Sequence, residues 1–140
     1  MGKGAVWSHD LLRLYFLGQP IASVADNAAA SPCTNHVLAL HVADPGSGGS
    51  QDSYETTYTG YARQLVPRGS AGWVVVGNQA KLAVPIAFPV CSAAPGDPIR
   101  YWSISRGGGV IDYVGPVVPA IVMATVVQPV LTDDSVATEL

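Results

Sequence analysis

The side chains best suited to acid–base catalysis or metal binding are three histidines, His9, His36 and His41, and their spacing supports neither role. None belongs to an HExxH motif or a Cys/His ligand pattern, so a metal site would have to assemble from distant residues. His41 is closely followed by Asp44, an arrangement that could serve general-base chemistry. However, Asp44 opens an Asp-Pro-Gly sequence, which is typical of a turn at the end of a strand. We therefore interpret both residues as structural.

The glycine-rich and carboxylate-rich segments also lack the spacing that chemistry requires. Residues 46–50 place serine among glycines without the G-x-S-x-G order of a nucleophile elbow. Residues 107–109 are consecutive glycines, which lack the G-x-G-x-x-G spacing of a dinucleotide site and are typical of a hairpin tip. Asp133 and Asp134 are adjacent near the C-terminus, where water would hydrate both carboxylates. The sequence predicts a protein that is not an enzyme, with no catalytic residues, no cofactor and no metal ion.

The composition favours a protein that adheres to other proteins. Only 12% of the 140 residues are charged, whereas a soluble domain typically has about 25%. The net charge of −3 provides no basic surface, so we expect no nucleic-acid partner. The valine-rich stretch 114–131 is interrupted by prolines and cannot form a membrane-spanning helix, so we expect no membrane partner. Much of the surface is then uncharged and suited to protein contact.

One helix and a series of short strands are expected. Ser8 is a candidate N-cap for a helix that Gly18 would end, and residues 21–30 could add a second short turn. Beyond it, apolar runs rich in valine, isoleucine and aromatic residues recur between turn signals. The predicted fold class is mainly β: a jelly-roll-like antiparallel β-sandwich of about seven or eight strands with one short N-terminal helix. The predicted strands are residues 37–42, 58–66, 73–77, 79–88, 99–105, 110–115 and 117–131.

We predict a single domain over residues 1–140. Residues 1–36 would form a helical N-terminal segment and residues 37–131 the β-sandwich. The composition of the Gly/Ser-rich residues 44–53 favours a flexible loop, although both flanks look ordered, and whether this loop is free or clamped stays open. The acidic residues 132–140 would form a loosely tethered tail, or an arm that orders only on a partner.

Several short sequence blocks lie in the first two-thirds of the chain. Their occurrence together in this order is more specific than any one block alone. They are MGKG (1–4), SHDLL (8–12), IASVADNA (21–28), SP (31–32), LHVADPG (40–46), GSQ (49–51), YTGYAR (58–63), GW (72–73) and GN (77–78). In these blocks the chain resembles a family of small structural proteins of tailed bacteriophages. The family carries a tail-fibre-like label and includes the head cement protein of a Bordetella phage. The resemblance weakens beyond Phe88, and the acidic tail departs from it.

The resemblance implies a capsid cement, or decoration, subunit on the outer surface of the virion capsid, made in the host cytoplasm. Such subunits bind the major capsid protein, bridge neighbouring capsomers as homodimers and hold the shell against the pressure of packaged DNA. Cys33 and Cys91, which form no CxxC motif, agree with free thiols in a reducing cytoplasm. Chain ends and strand edges are the natural contact elements. The expected interface residues are Trp7, Leu11, Leu12, Tyr15, Val126, Val127, Val130 and Leu131.

Three alternatives remain open at this point. The chain could be a tail-fibre or receptor-binding β module, which would expose aromatic residues on loops and usually form trimers. It could be a hydrolase that uses His41 and a nearby acid. Finally, the apolar face of the N-terminal helix could pack across an opening of the sandwich instead of contacting a partner.

Overall fold

One α-helix, one π-helical turn and nine β-strands form the regular structure of residues 2–28 and 32–139, which the computed structural model describes. Parts of the predicted turn 21–30 and of the predicted domain 1–140 lie outside these described residues. The elements are α1 (Ala5–Leu12), the π-helical turn (Arg13–Leu17), β1 (Asn35–His41), β2 (Gln64–Pro67), β3 (Trp73–Val76), β4 (Gln79–Leu82), β5 (Ile86–Ala87), β6 (Ile99–Ser105), β7 (Tyr113–Ile121), β8 (Val130–Leu131) and β9 (Val136–Thr138).

The helix begins earlier than the sequence predicts. Gly4 occupies the N-cap position, and the backbone N–H of Ser8 already donates to the Gly4 carbonyl at 3.0 Å. Ser8 is buried within the helix, so its prediction as the N-cap is wrong. Gly18 ends the helical segment in the left-handed conformation (φ 69°), and its N–H donates to the Leu14 carbonyl, as is typical of a glycine C-cap. The predicted end of the helix is therefore confirmed.

An antiparallel four-stranded sheet, in the order β2–β1–β6–β7, forms the centre of the molecule. In its ladder Leu38 lies opposite Ile104 and Leu40 lies opposite Trp102, so these four apolar side chains share one face. All four are buried. β7 contains two prolines and lies at the edge of the sheet, where a missing N–H removes no bond to a further strand.

Both faces of the central β1–β6 pair are buried. On one face, His36 contacts the aromatic rings of Phe16 from the π-helical turn and Trp73 from β3. The opposite face, which carries Ser103, is covered by the loop between β1 and β2, where the buried Gln51 side chain donates to Ser103. The sequence left open whether residues 44–53 are free or clamped, and the structure shows this segment as a covering layer of the sheet.

The last described residues form a strand instead of a loose tail. β3, β4 and β9 form a second antiparallel sheet in that order, and β5 pairs with β8 in a third. β9 places Ala137 opposite Ala80, and both are buried. Glu139 then forms an ion pair with Lys3. Over residues 132–139 the prediction of a loosely tethered tail is wrong, because the two aspartates occupy a turn and Val136–Thr138 pair with β4; Leu140 lies outside the described residues.

The observed fold class is the predicted one: mainly β, with antiparallel sheets and a short helix near the N-terminus, consistent with a β-sandwich. The predicted strand 99–105 is confirmed residue for residue. The predicted strand 58–66 contributes only its end to β2, and the prolines in 79–88 and 117–131 divide these runs into shorter strands and loops. Residues 21–25 form a turn closed by an Ile21–Ala25 bridge instead of a helical turn.

Placing a charge in β9 tests whether the C-terminal segment is part of the folded domain. We expect Ala137→Asp to lower the free energy of unfolding by about 2 kcal/mol or more, because it would bury a carboxylate without a partner. The exposed neighbour offers a matched control: Thr138→Asp should change it by less than about 0.5 kcal/mol. Urea unfolding of both variants measures the difference. Equal, small effects would show that the segment is a loose tail after all.

Candidate contact surfaces

His41, the histidine considered for catalysis, belongs to a buried chain of hydrogen bonds. Its Nδ1 lies 2.9 Å from the Ser53 carbonyl oxygen and its Nε2 lies 2.8 Å from Ser103 Oγ. Because a carbonyl can only accept, Nδ1 carries the proton and Nε2 accepts from the Ser103 hydroxyl. Ser103 Oγ accepts in turn from the side-chain amide of Gln51 at 3.2 Å. The chain therefore joins the covering loop to β1 and β6.

The His41–Ser103 pair is arranged to hold the fold together and offers no reaction centre. Both residues are fully buried, so a substrate could not reach the serine hydroxyl. The imidazole Nδ1 binds a backbone carbonyl, where a catalytic triad would place a carboxylate. Burial lowers the pKa of His41 below its ordinary value, so the ring is neutral at pH 7. The geometry supports the structural interpretation of His41.

A second buried histidine, His36, organises the end of the helical segment. Its ring stacks on Tyr15 with centroids 4.6 Å apart, and its Nε2 donates to the Tyr15 carbonyl at 3.1 Å. The same carbonyl accepts from Arg68 Nε at 2.8 Å. Burial and, second to it, the nearby Arg68 guanidinium lower the pKa of His36 to about 4. The uncharged ring is thus part of the core at neutral pH.

The other chemistry-bearing side chains are dispersed. Within residues 2–28 and 32–139, histidine, cysteine, aspartate and glutamate nowhere gather in a group of three that could hold a metal ion. Cys91 is buried and Cys33 half-buried, and both are free thiols. In the same part of the chain, every helix is too short or too polar to cross a membrane.

The interface residues predicted on the helix divide between core and surface. Leu12 is completely buried, so it is a core residue and its assignment to the interface must be corrected. Tyr15 is half-buried, and its hydroxyl donates to Asp112 Oδ2 at 2.6 Å, which directs the side chain inward. Leu11 is also half-buried. Only Trp7 among the four is clearly exposed, with 39% of its surface accessible. The helix thus mainly packs across the sheets, one of the two options left open by the sequence.

The predicted C-terminal interface residues lie on a two-stranded ribbon. We define the valine ribbon as residues 86–91 paired with residues 126–131: Ala87 lies opposite Val130, and the N–H groups of Phe88 and Cys91 donate to the carbonyls of Pro129 and Val127. The outward residues of this ribbon are uncharged, and all but Gln128 are apolar. Its exposed members are Val126 (79%), Val90 (44%) and Val130 (41%).

Two predicted interface residues on the ribbon face inward. Leu131 is buried, so it too must be reassigned from the interface to the core, because it pairs opposite Ile86 on the inner side of the ribbon. Val127 is half-buried against the core. Val126, by contrast, projects into solvent with a positive φ of 69°, which is unusual for a β-branched residue. Its N–H donates to the Cys91 carbonyl at 2.8 Å, which holds it in place.

The sequence analysis missed exposed apolar residues that lie just before the ribbon. β7 pairs Tyr101 with Pro116 and Ile99 with Ile121, so residues 117–120 bulge outward opposite a single residue of β6. Val118 in this bulge is 83% exposed, and Val122 after it is 73% exposed. The two prolines of β7 were the sequence signal that could have revealed this bulge, because prolines predict departures from a regular ladder.

Comparison with known families identifies the chain at the level of its family. Residues 18–116, more than half of the chain, match the sequence profile of the family described as "Podophage GP4 fiber I protein gp80". The chain belongs to this family. It is therefore related to phage structural proteins, as its sequence predicts. The family is described as one of fibre proteins. No curated protein matches the chain. The second strand of the valine ribbon lies beyond the matched residues.

Removing the buried amide of Gln51 tests the role of the covering loop. We expect Gln51→Ala to lower the free energy of unfolding by about 1–3 kcal/mol, because the Val37 carbonyl and Ser103 lose a donor. The exposed Gln128 provides the control, and Gln128→Ala should change stability by less than about 0.5 kcal/mol. Chemical unfolding measures both variants. A loop that merely lies loosely over the sheet would make the two substitutions equivalent.

The low pKa of His36 predicts acid destabilisation. In the unfolded chain the His36 ring has a pKa of 6.5 and binds a proton below that pH. In the native protein the same ring binds the proton only near pH 4. This contribution to stability is complete above pH 6.5 and is lost as the pH falls towards about 4. It amounts to about 3 kcal/mol. His36→Gln keeps a donor for the Tyr15 carbonyl but does not titrate. In urea unfolding, the loss of unfolding free energy caused by His36→Gln should therefore be markedly smaller at pH 4.5 than at pH 7. An equal loss at both pH values would contradict the low pKa of His36.

Proposed function

We propose that the chain is a capsid cement subunit that binds the outer surface of the phage head and bridges neighbouring copies of the major capsid protein. The observation that carries the proposal is the exposed, uncharged apolar surface made by the valine ribbon and the bulge of β7. Exposed apolar side chains that gather on one surface mark protein contact sites. The resemblance of the sequence blocks in residues 1–78 to a phage structural family that includes a head cement protein supports the same function. A non-enzymatic role agrees with a fold in which His36 and His41 are buried.

The physical basis of such a function is many weak contacts acting together. An apolar contact between neutral surfaces gains from desolvation and is little affected by salt. A subunit that touches two capsid proteins makes its second contact at high effective concentration once the first has formed. As a homodimer, the subunit would present two identical ribbons to neighbouring capsomers, which doubles the number of contacts for each binding event.

A tail-fibre or receptor-binding module is the second candidate. The fibre description of the family favours it. Tyr54 favours it as well, because this aromatic side chain is 63% exposed on the loop that covers β1 and β6. Exposed loop aromatics are suited to stacking on a receptor. The other large aromatics argue less for it, because Trp73 and Trp102 are buried.

Charge placed on the ribbon should weaken attachment to the head. We expect Val126→Asp to reduce binding to heads that lack this protein by about tenfold or more, because a carboxylate at an apolar contact must be desolvated. Val24→Asp, at another well-exposed valine on the turn 21–25, is the control and should bind normally. Sedimentation of labelled protein with purified heads measures saturable binding, and thermal unfolding verifies that both variants are folded. Equal binding by both variants would remove the ribbon from the contact.

Imaging and mass measurement separate the two candidate functions. A cement subunit should appear on the head surface of imaged virions and should be a dimer in solution, and virions without it should lose their genome more readily under heat and low salt. A receptor-binding module should appear at the tail and should bind a cell-surface glycan. Density for the protein only at the tail would contradict the cement function.

A further inference from the structure

An apolar pocket, which we term the helix pocket, opens between the helical segment and the central sheet. It has a volume of about 410 Å³, and most of the surface that lines it is apolar. Leu11 and Leu14 line it from the helical segment, Tyr113 from β7, and Pro32 and Cys33 from the segment before β1. This volume lies in the range of about 300–1,000 Å³ that is typical of ligand sites, so the pocket can hold a large apolar side chain.

Two tyrosine side chains form fixed walls of the helix pocket. The rings of Tyr15 and Tyr113 contact each other edge to face, with centroids 5.4 Å apart. The Tyr15 hydroxyl donates to Asp112 Oδ2 at 2.6 Å, and the Tyr113 hydroxyl donates to Glu139 Oε2 at 2.9 Å. Tyr15 also stacks on the buried ring of His36. Because these contacts already fix both rings, an incoming side chain would meet a preformed surface and lose little free energy to ordering it.

The charged residues that line the helix pocket favour an acidic ligand. Arg68 donates to backbone carbonyls at the end of the helical segment, and Glu139 forms its ion pair with Lys3. Arg106 is different, because its side chain is largely exposed and only its Nε approaches a carboxylate, that of Asp112 at 3.5 Å. Its two terminal nitrogens have no hydrogen-bond partner within the part of the chain that the structure describes. The pocket therefore combines an apolar interior with a guanidinium that can bind a carboxylate.

We propose that the helix pocket binds an apolar side chain of the major capsid protein that lies next to a glutamate or aspartate. The apolar side chain would contact Leu11, Leu14 and the two tyrosine walls, while Arg106 would bind the neighbouring carboxylate. Leu11 and Tyr15, two of the interface residues predicted from the sequence, would then contact the partner as walls of the pocket.

Such a site would supply the second contact that bridging requires. None of the residues that line the helix pocket belongs to the valine ribbon or to the bulge of β7, so the two surfaces could bind different capsid proteins. The second contact would then form at the high effective concentration set by the first. The inference rests on the proposed function for the identity of the partner.

Protection of a thiol tests the helix pocket in the full chain. Cys33 lines the pocket and is half-buried, whereas Cys91 is fully buried and serves as an internal control for unfolding. The probes are three capped dipeptides: leucine–glutamate, leucine–lysine and alanine–glutamate. We expect saturating leucine–glutamate peptide to slow the reaction of Cys33 with iodoacetamide at least about fivefold, and the other two peptides to protect less. Mass spectrometry of the digested protein measures both thiols.

Removing one charge provides a matched control on the protein. Arg106→Gln should abolish the preference for glutamate, so that the leucine–glutamate and leucine–lysine peptides protect Cys33 equally. Arg100→Gln, at another exposed arginine that does not line the pocket, should keep the preference. Absence of protection, or equal protection by the leucine and alanine peptides, overturns the inference. Protection that rises with protein concentration alone also overturns it, because a second copy of this chain would then occupy the pocket.

Filling the pocket tests its part in attachment to heads. Benzyl methanethiosulfonate adds a benzylthio group to Cys33, and the methyl reagent adds a methylthio group; dithiothreitol removes both. We expect the benzylthio group to reduce binding to heads by about tenfold or more and the methylthio group to have little effect, because only the larger group fills the pocket. Dithiothreitol should restore binding. Equal binding by the two adducts would exclude the pocket from the contact.

The outcome can be separated from that of the proposed function. A protein that binds heads while neither the heads nor the leucine–glutamate peptide protects Cys33 would contradict the pocket inference alone. Protection by the leucine–glutamate peptide in a protein that fails to bind heads would contradict the cement function and leave the pocket as a binding site, whose partner would then be sought in the tail.

Discussion

Burial of both faces of the β1–β6 pair is the constraint on which the rest of the structure depends. The face with Leu38 and Leu40 packs in the apolar core, but the opposite face carries His41 and Ser103, whose polar atoms would be costly to bury without partners. The loop between β1 and β2 provides these partners through Gln51 and a backbone carbonyl. His41 and Ser103, which could have done chemistry, thereby hold two layers of the fold together. The surface is the part of the molecule that remains available for contacts.

The same constraint explains which parts of the fold could be predicted from the sequence. Strand 99–105 and the helix end at Gly18 depend on local signals, namely β-branched and aromatic periodicity and a left-handed glycine, and both predictions are confirmed. The glycine and serine content of the covering loop left open whether it is free or clamped, because its position depends on long-range contacts of Gln51 and the Ser53 carbonyl. Long-range pairing also decided the C-terminus, because β9 forms only with β4, more than fifty residues earlier.

The candidate contact surface was predicted only in part, for a similar physical reason. The sequence identifies an apolar segment at 126–131 but not which side of a strand faces solvent, so Val126 and Leu131 were treated alike. Pairing with β5 directs Leu131 inward, and the turn before it directs Val126 outward. Likewise, Val118 is exposed because four residues of β7 lie opposite one residue of β6, a mismatch that no periodic pattern reveals.

An open edge beside an exposed apolar surface would ordinarily favour aggregation, and the chain counters this without losing the edge. The prolines and the bulge of β7 interrupt the regular row of donors that an unselected strand would need. The acidic turn at Asp133 and Asp134 repels a second copy of the same acidic C-terminal segment, since that segment has no basic residue to offer in return. Both features therefore oppose uncontrolled edge-to-edge pairing at β7.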